Sequence, residues 1–141
     1  MRPALVLAVS LALLTVAGCG GKKKSALDTG CPPPASTASS GAAQISARSV
    51  GKGYSKLVVI HATEKANGAP VHGGKMSIRA EMACPHFMPM YTKSMQETST
   101  GTYKAGYSLV MPGKWTFYFV LRDKNGDATT SALPVTVKLG G

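Results

Sequence analysis

Residues 84–90 read CPHFMPM and place one thiol, one imidazole and two thioethers within seven positions. These soft donors suit Cu(I), whereas magnesium and calcium prefer oxygen ligands. Zinc fits less well, because it selects cysteine, histidine and carboxylate over thioether. Alternate residues of a strand lie about 6.6 Å apart, a separation that methionine side chains can close around one ion. We therefore predict a Cu(I) site with these candidate ligands: His86, Met88, Met90, Cys84 and Met111, with Met95 as a further donor.

The methionines outside the segment have a second explanation, which is core packing. KMSIRAEM (75–82) alternates strictly, with Met76 and Met82 on the apolar face and charged or polar residues on the other. Met111 shares the phase of Tyr107 in the stretch 102–111. We therefore expect Met76 and Met82 in the core, and for Met111 core packing is the alternative to metal binding.

Two strand registers remain open beyond Pro85. Pro85 and Pro89 interrupt the alternation, because proline cannot donate a ladder hydrogen bond and favours edges or bulges. In the unshifted register the residues that face the core are His86, Met88 and Met90. In the shifted register the residues that fill the core are Phe87 and Tyr91, and the other three are exposed. Burying an unpaired imidazole costs about 1–3 kcal/mol, which favours the shifted register.

Two other histidines are candidates only if the fold brings them near this segment. His61 lies in a strand but opposite in parity to Ile60, as a hydrogen-bonded sheet histidine would. His72 follows a turn and precedes two glycines, which predicts a surface position.

The N-terminus predicts where the chain resides. Arg2 precedes the apolar run ALVLAVSLALLTVAG, which is typical of a secretory signal and at the low end of the length that spans a bilayer. Its end, VAGC, resembles the lipobox of bacterial lipoproteins. That resemblance implies cleavage after Gly18, a lipid such as palmitate on Cys19, and an extracytoplasmic, membrane-anchored protein. Gly20 favours the outer membrane, facing the periplasm, in a Gram-negative cell.

Composition divides the chain into three segments. Residues 1–18 form the predicted signal peptide, and residues 19–44 are rich in glycine, serine, alanine and proline, as in a flexible linker. Residues 45–141 have the size of one small domain. The whole chain carries a net charge of +10, but its lysines are scattered outside the run at 22–24. We therefore expect no nucleic-acid partner.

Cysteine usage leaves two alternatives open. With Cys19 lipidated, Cys31 and Cys84 form an even pair in an oxidising compartment. A disulfide between them would fold the linker back onto the domain and remove Cys84 from any metal site. Otherwise both are free thiols.

The domain has strand patterns and no convincing helical period. Apolar or alternating stretches cover 56–63, 75–82, 102–111, 114–123 and 133–139. Turn residues separate them, as at Asn67-Gly68, Pro112-Gly113 and 124–127. We predict an all-β, immunoglobulin-like β-sandwich of about seven antiparallel strands.

Four stretches together resemble the YtkA-like domain, which is related to FixH. They are NGAPVHGGKMSIRAEM, the Met-Pro step in FMPM, TGTYKAGYSLVMPGKW and PVTVKL, and the match covers about residues 54–139. The chain departs from the common pattern by carrying Cys84-Pro85-His86 before the methionines. The resemblance implies an immunoglobulin-like fold and a role in copper handling or in the assembly of respiratory oxidases.

We expect no enzymatic activity, because the six acidic residues are dispersed and neither a catalytic triad nor a phosphate loop is recognisable. The stretch DKNGD (123–127) lacks a full calcium loop, so turn chemistry explains it better. Two hypotheses remain. One is a lipid-anchored domain that binds Cu(I); the other is an interaction module that presents an apolar FMPM loop to a membrane-protein partner, such as an oxidase or transporter assembly.

Overall fold

The computed structural model describes residues 31–32 and 41–138. The predicted signal peptide, Cys19 and most of the predicted linker lie outside these residues. Within the described part of the chain, no helix is long and apolar enough to cross a membrane.

In residues 31–32 and 41–138, nine strands form two antiparallel sheets. The strands are β1 (Ala43–Val50), β2 (Ser55–Glu64), β3 (Lys75–Met82), β4 (Met88–Pro89), β5 (Lys93–Ser94), β6 (Gln96–Ser99), β7 (Thr102–Ser108), β8 (Gly113–Arg122) and β9 (Ala128–Val137). The first sheet has the order β1-β2-β7-β6, and the second has the order β4-β3-β8-β9 with β5 also paired to β3. This arrangement confirms the predicted immunoglobulin-like sandwich.

Strict alternation builds the core between the sheets. Every second residue of β8 is buried, from Trp115 to Leu121, and the same holds for β3 from Met76 to Met82. Phe117 is fully buried and meets Tyr107 edge-to-face, with the ring centroids 5.4 Å apart. The prediction that Met76 and Met82 pack in the core is confirmed, with exposures of 2% and 5%.

The strand count exceeds the predicted seven. The strand β1 begins at Ala43, before the predicted domain start at residue 45, and its inward residues are small or partly buried, so its alternation is weak in the sequence. The strands β4 and β5 have two residues each, too few for any period to register. The strand β9 begins at residue 128 rather than 133 because TTSA (129–132) continues the pairing with β8.

The predicted turns form, but not all of them join paired strands. Asn67-Gly68 makes a tight turn in which the Gly68 N–H donates to the Glu64 carbonyl at 2.9 Å, and Gly68 has a φ of 72°. Asn67-Gly68 also suits a tight β-hairpin, but the flanking strands enter different sheets, so that expectation is wrong beyond a single bridge between Thr63 and Pro70. By contrast, residues 123–127 join β8 directly to its partner β9.

The strand register sorts the connections into two ends. Ser55 lies opposite Ser108, and Met82 lies opposite Trp115, so turns 51–54, 83–87 and 109–112 share one end. We call these residues, with the strand termini beside them, the loop end. The connections 65–74, 100–101 and 123–127 lie at the opposite end, which we call the far end.

Candidate functional site

Cys84 and Cys31 form a disulfide, with their Cα atoms 6.1 Å apart. This is the first of the two alternatives left open by the sequence. A disulfide sulfur is not a thiolate, and only the thiolate is a strong metal ligand. The prediction that Cys84 ligates a metal is therefore wrong for the disulfide-bonded protein, and the bond instead fixes Cys31 at the loop end.

The segment after Pro85 adopts the unshifted register for its methionines. Met88 lies directly opposite Met82 on β3, and the Met90 N–H donates to the Ala80 carbonyl at 2.8 Å. Both methionines are partly buried against the core, whereas Tyr91 is 62% exposed. The preference for the shifted register was wrong, and the physical reason is the edge position of β4.

An edge strand accommodates Pro89 without a bulge, because one side of the strand needs no ladder hydrogen bond. Pro89 lies opposite Glu81 in regular antiparallel pairing. The penalty for burying His86 does not arise either, since His86 is in the turn before β4 and is exposed. Phe87, which follows it, is half-buried.

Trp115 holds the backbone of Met111 at the loop end. The indole Nε1–H of Trp115 donates to the Met111 carbonyl at 3.1 Å, and Trp115 is the cross-strand neighbour of Met82. The Met82 methyl occupies the space that a Cβ on Gly113 would take. Met111 itself is partly buried against the core, so core packing accounts for part of its surface. Met82 thus lies beside Trp115 at the loop end, Met88 lies opposite Met82 on the next strand, and the Met111 backbone is bonded to the Trp115 indole.

Met95 does not join this group. It is 8% exposed, and its N–H donates to the Met76 carbonyl at 2.8 Å. Met76 is six residues from Met82 along β3, which corresponds to about 20 Å. Met95 is a core residue, and its proposed contribution as a ligand was wrong.

The two remaining histidines lie away from the loop end. His61 is exposed on β2, and its Nδ1 lies 3.2 Å from the Thr102 hydroxyl. His72 is exposed and lines a far-end cavity of about 330 Å³ with Asp123. The predictions of a hydrogen-bonded sheet histidine and a surface histidine are confirmed, and neither side chain completes a site near Met88.

Residues 31–32 and 41–138 contain no cluster of acidic side chains that could form an oxygen-ligand metal site. In that part of the chain no group of three or more histidine, cysteine or acidic side chains gathers to hold an ion. Asp123 uses one carboxylate oxygen to accept the N–H groups of Asn125 and Asp127, at 2.8 and 3.0 Å, and so stabilises its own turn. The donor set at the loop end therefore consists of thioethers and the exposed His86.

Two tyrosines pack against each other beside Met90. The Tyr107 hydroxyl donates to the Tyr91 carbonyl at 2.7 Å, and the two rings stack with centroids 5.6 Å apart. Burial raises the pKa of the Tyr107 phenol above its ordinary value. Sequence reasoning missed this contact and the proximity of Met82 to Met88, because both depend on pairing at an edge where the alternation is broken.

The fold and the site together define the class of this protein: an immunoglobulin-like sandwich with a methionine-rich loop end. Residues 38–120, more than half of the chain, match the YtkA-like family, and the chain belongs to this family. The resemblance over 54–139 is thereby confirmed, with a match that starts and ends earlier.

Comparison with other proteins adds little to this assignment. No curated protein matches the chain. Among solved structures, the chain is similar to the sporulation control protein Spo0M from Bacillus subtilis, with a TM-score of 0.44 and 9% identity. The match covers 70% of this chain and 50% of the Spo0M chain, so the chain spans about half the length of that protein.

Proposed function

We propose that this YtkA-like domain is a lipid-anchored, extracytoplasmic Cu(I)-binding module with no catalytic role. Its ligands are the thioethers of Met88, Met90 and Met111, and His86 completes the site from the adjacent turn. The observation that carries the proposal is the placement of three partly exposed thioethers against one core at the loop end.

Packing places these thioethers beside apolar side chains, an environment that suits a soft cation. Met88 and Met82 are directly opposed residues on one sheet face, so their Cβ atoms lie about 5 Å apart. A site of this kind has an apolar floor, formed by Met82 and Trp115, which are almost fully buried. Thioether sulfur is a poor ligand for magnesium, calcium and zinc, so the donor set itself favours Cu(I).

The anchoring part of the proposal rests on the N-terminal sequence. The VAGC step after a 15-residue apolar run supports lipid on Cys19, and the Cys31–Cys84 disulfide is of the kind found in oxidising compartments. Both features are consistent with a protein that works outside the cytoplasm.

The alternative, an exposed FMPM loop for a membrane-protein partner, has less support. Met88 and Met90 pack against the core, and Phe87 is half-buried, so the segment offers little free apolar surface. Partial exposure is enough for Met88 and Met90 to bind an ion through sulfur, whereas a docking loop would need both side chains fully exposed.

Competition with a chromogenic Cu(I) chelator tests the proposal. We expect one tightly held Cu(I) per chain, and we expect Met88→Leu/Met90→Leu to lose most of the affinity, because leucine retains the packing volume but not the sulfur. His86→Ala should weaken binding less, since the thioethers remain.

The matched control is Met76→Leu/Met95→Leu, which replaces two buried methionines remote from the loop end. It should leave Cu(I) affinity unchanged. If Met88→Leu/Met90→Leu retains the parental affinity, or if both double variants lose it equally, the proposed site is wrong.

A further inference from the structure

The loop end exposes aliphatic and aromatic side chains that the core does not use. Val50, Leu57 and Val110 have exposures of 44%, 44% and 58%, and Tyr54 has an exposure of 39%. Four of the five large exposed apolar residues in the described part of the chain are in this set. Such a concentration at one end is more than scattered surface hydrophobicity.

Strand pairing places these residues side by side. Val50 and Leu57 are cross-strand partners, and both have the outward parity of the first sheet. Leu57 also lies opposite Gly106, which adds no side chain between the strands. The Leu109 N–H donates to the Tyr54 carbonyl at 2.9 Å, so Val110, the next residue, emerges beside the tip of the β1–β2 turn.

Charge is distributed unevenly between the two ends. The lysines at the loop end are Lys52, Lys56, Lys114 and Lys138. The acidic residues near the far end are Glu64, Glu97, Asp123 and Asp127. Of the described acidic residues only Glu81 approaches the loop end, and Arg79 neutralises it in an ion pair of 2.7 Å. The loop end is therefore apolar and cationic.

The disulfide ties this same end to the N-terminal segment. Cys31 lies twelve positions after Cys19, which is at most about 40 Å of extended chain. Without the disulfide the tether would run to Ala43 at the far end of β1, about twice that length. This step rests on the proposed lipid at Cys19, and it places the loop end nearer the membrane than the far end.

We propose that the loop end docks on a bilayer surface that contains anionic lipid. Val50, Leu57 and Val110 enter the interfacial region, and the surrounding lysines contact the headgroups. Electrostatic attraction and apolar burial act together in such binding. The site proposed for Cu(I) would then lie beside the membrane.

Hydrogen–deuterium exchange tests the docking. The lipidated full-length chain is reconstituted into vesicles of phosphatidylcholine alone or with phosphatidylglycerol. We expect amides in 50–57 and 108–112 to exchange more slowly in the anionic vesicles, and those in 65–74 and 123–127 to exchange at equal rates in both. Lys52→Gln/Lys114→Gln should reduce the ratio of docked protein to anchored but undocked protein about fivefold for each lysine removed. The control Lys75→Gln/Lys124→Gln, at the far end, should leave it unchanged.

Several outcomes overturn the docking. Equal exchange at the loop end in both vesicle types would do so, as would an equal effect of the two lysine variants. Protection that arises in native membranes but not in pure lipid would indicate a protein partner instead. Intact mass measured on the same sample reports the lipid on Cys19, so failure of the anchor is distinguishable from failure of docking, and Cu(I) binding is measured independently of both.

Discussion

Opening the Cys31–Cys84 disulfide should destabilise the domain by less than its loop length suggests. The bond spans 53 residues, and closing a loop of that length in the unfolded chain costs about 4 kcal/mol in the chain-entropy relation. Reduction would return that entropy to the unfolded state and so favour unfolding.

Reduction also raises the entropy of the folded state, because it releases the stretch between Cys31 and Gly41, and this offsets part of the loss of stability. Residue 41 is already held in the fold, where the Gly41 N–H donates to the Ala128 carbonyl at 3.0 Å. In the folded protein the disulfide therefore closes only the stretch from Cys31 to Gly41. With the intervening residues behaving as the linker that their composition predicts, the same relation gives about 2.7 kcal/mol for this closure. The difference predicts a net loss of about 1.5 kcal/mol.

Urea unfolding of the oxidised and reduced chain measures this quantity. The corresponding fall in Tm is about 6–12 °C for a domain of this size. A Cys31→Ser/Cys84→Ser chain is the control, and reductant should not change its stability. A loss near 4 kcal/mol would mean that the folded state has no linker entropy to regain, and no loss would mean that the bond does not restrain unfolding; either result refutes the reasoning.

Two further predictions concern glycines and tyrosines. Gly101→Ala should lower the free energy of unfolding, measured by urea titration, by about 2 kcal/mol, because Gly101 has a φ of 69° and a Cβ there would lie 2.6 Å from the Ala62 carbonyl. The control is Gly106→Ala, where a Cβ meets nothing within 4 Å, and its free energy of unfolding should be nearly unchanged. Burial raises the folded-state pKa of Tyr103 and Tyr107, so their contribution to stability should be complete below pH 10 and decline as the pH rises above 10 toward the raised folded values. Between pH 9 and pH 11 the free energy of unfolding of Tyr103→Phe/Tyr107→Phe should therefore decline less than that of the parental chain.

Much of the sandwich was predictable because its central strands alternate without interruption. The predicted stretch 75–82 coincides with β3, and 114–123 differs from β8 by one residue at each end. Both strands have one buried face, so a slip of one residue would expose a whole row of apolar side chains. Their length and their faces therefore follow directly from the order of residue types.

The candidate site was less predictable, because it depends on contacts between distant or interrupted segments. Two prolines break the alternation between Met82 and Met90, and the edge pairing that decides their faces leaves no periodic pattern in two residues. The pairing of Cys31 with Cys84 was likewise undetermined, since either redox state satisfies the sequence. The position of Met111 depends on a hydrogen bond from Trp115, which no spacing indicates.

The central claim is that thioethers at the loop end bind Cu(I) without help from Cys84. Its most direct test is a Cu(I) titration of the intact domain, first with the Cys31–Cys84 disulfide formed and then after its reduction. We predict one bound Cu(I) in the oxidised protein, with affinity that depends on Met88 and Met90. Binding that is absent from the oxidised protein and arises only after reduction would contradict the account, because it would assign the metal to the cysteine thiolates.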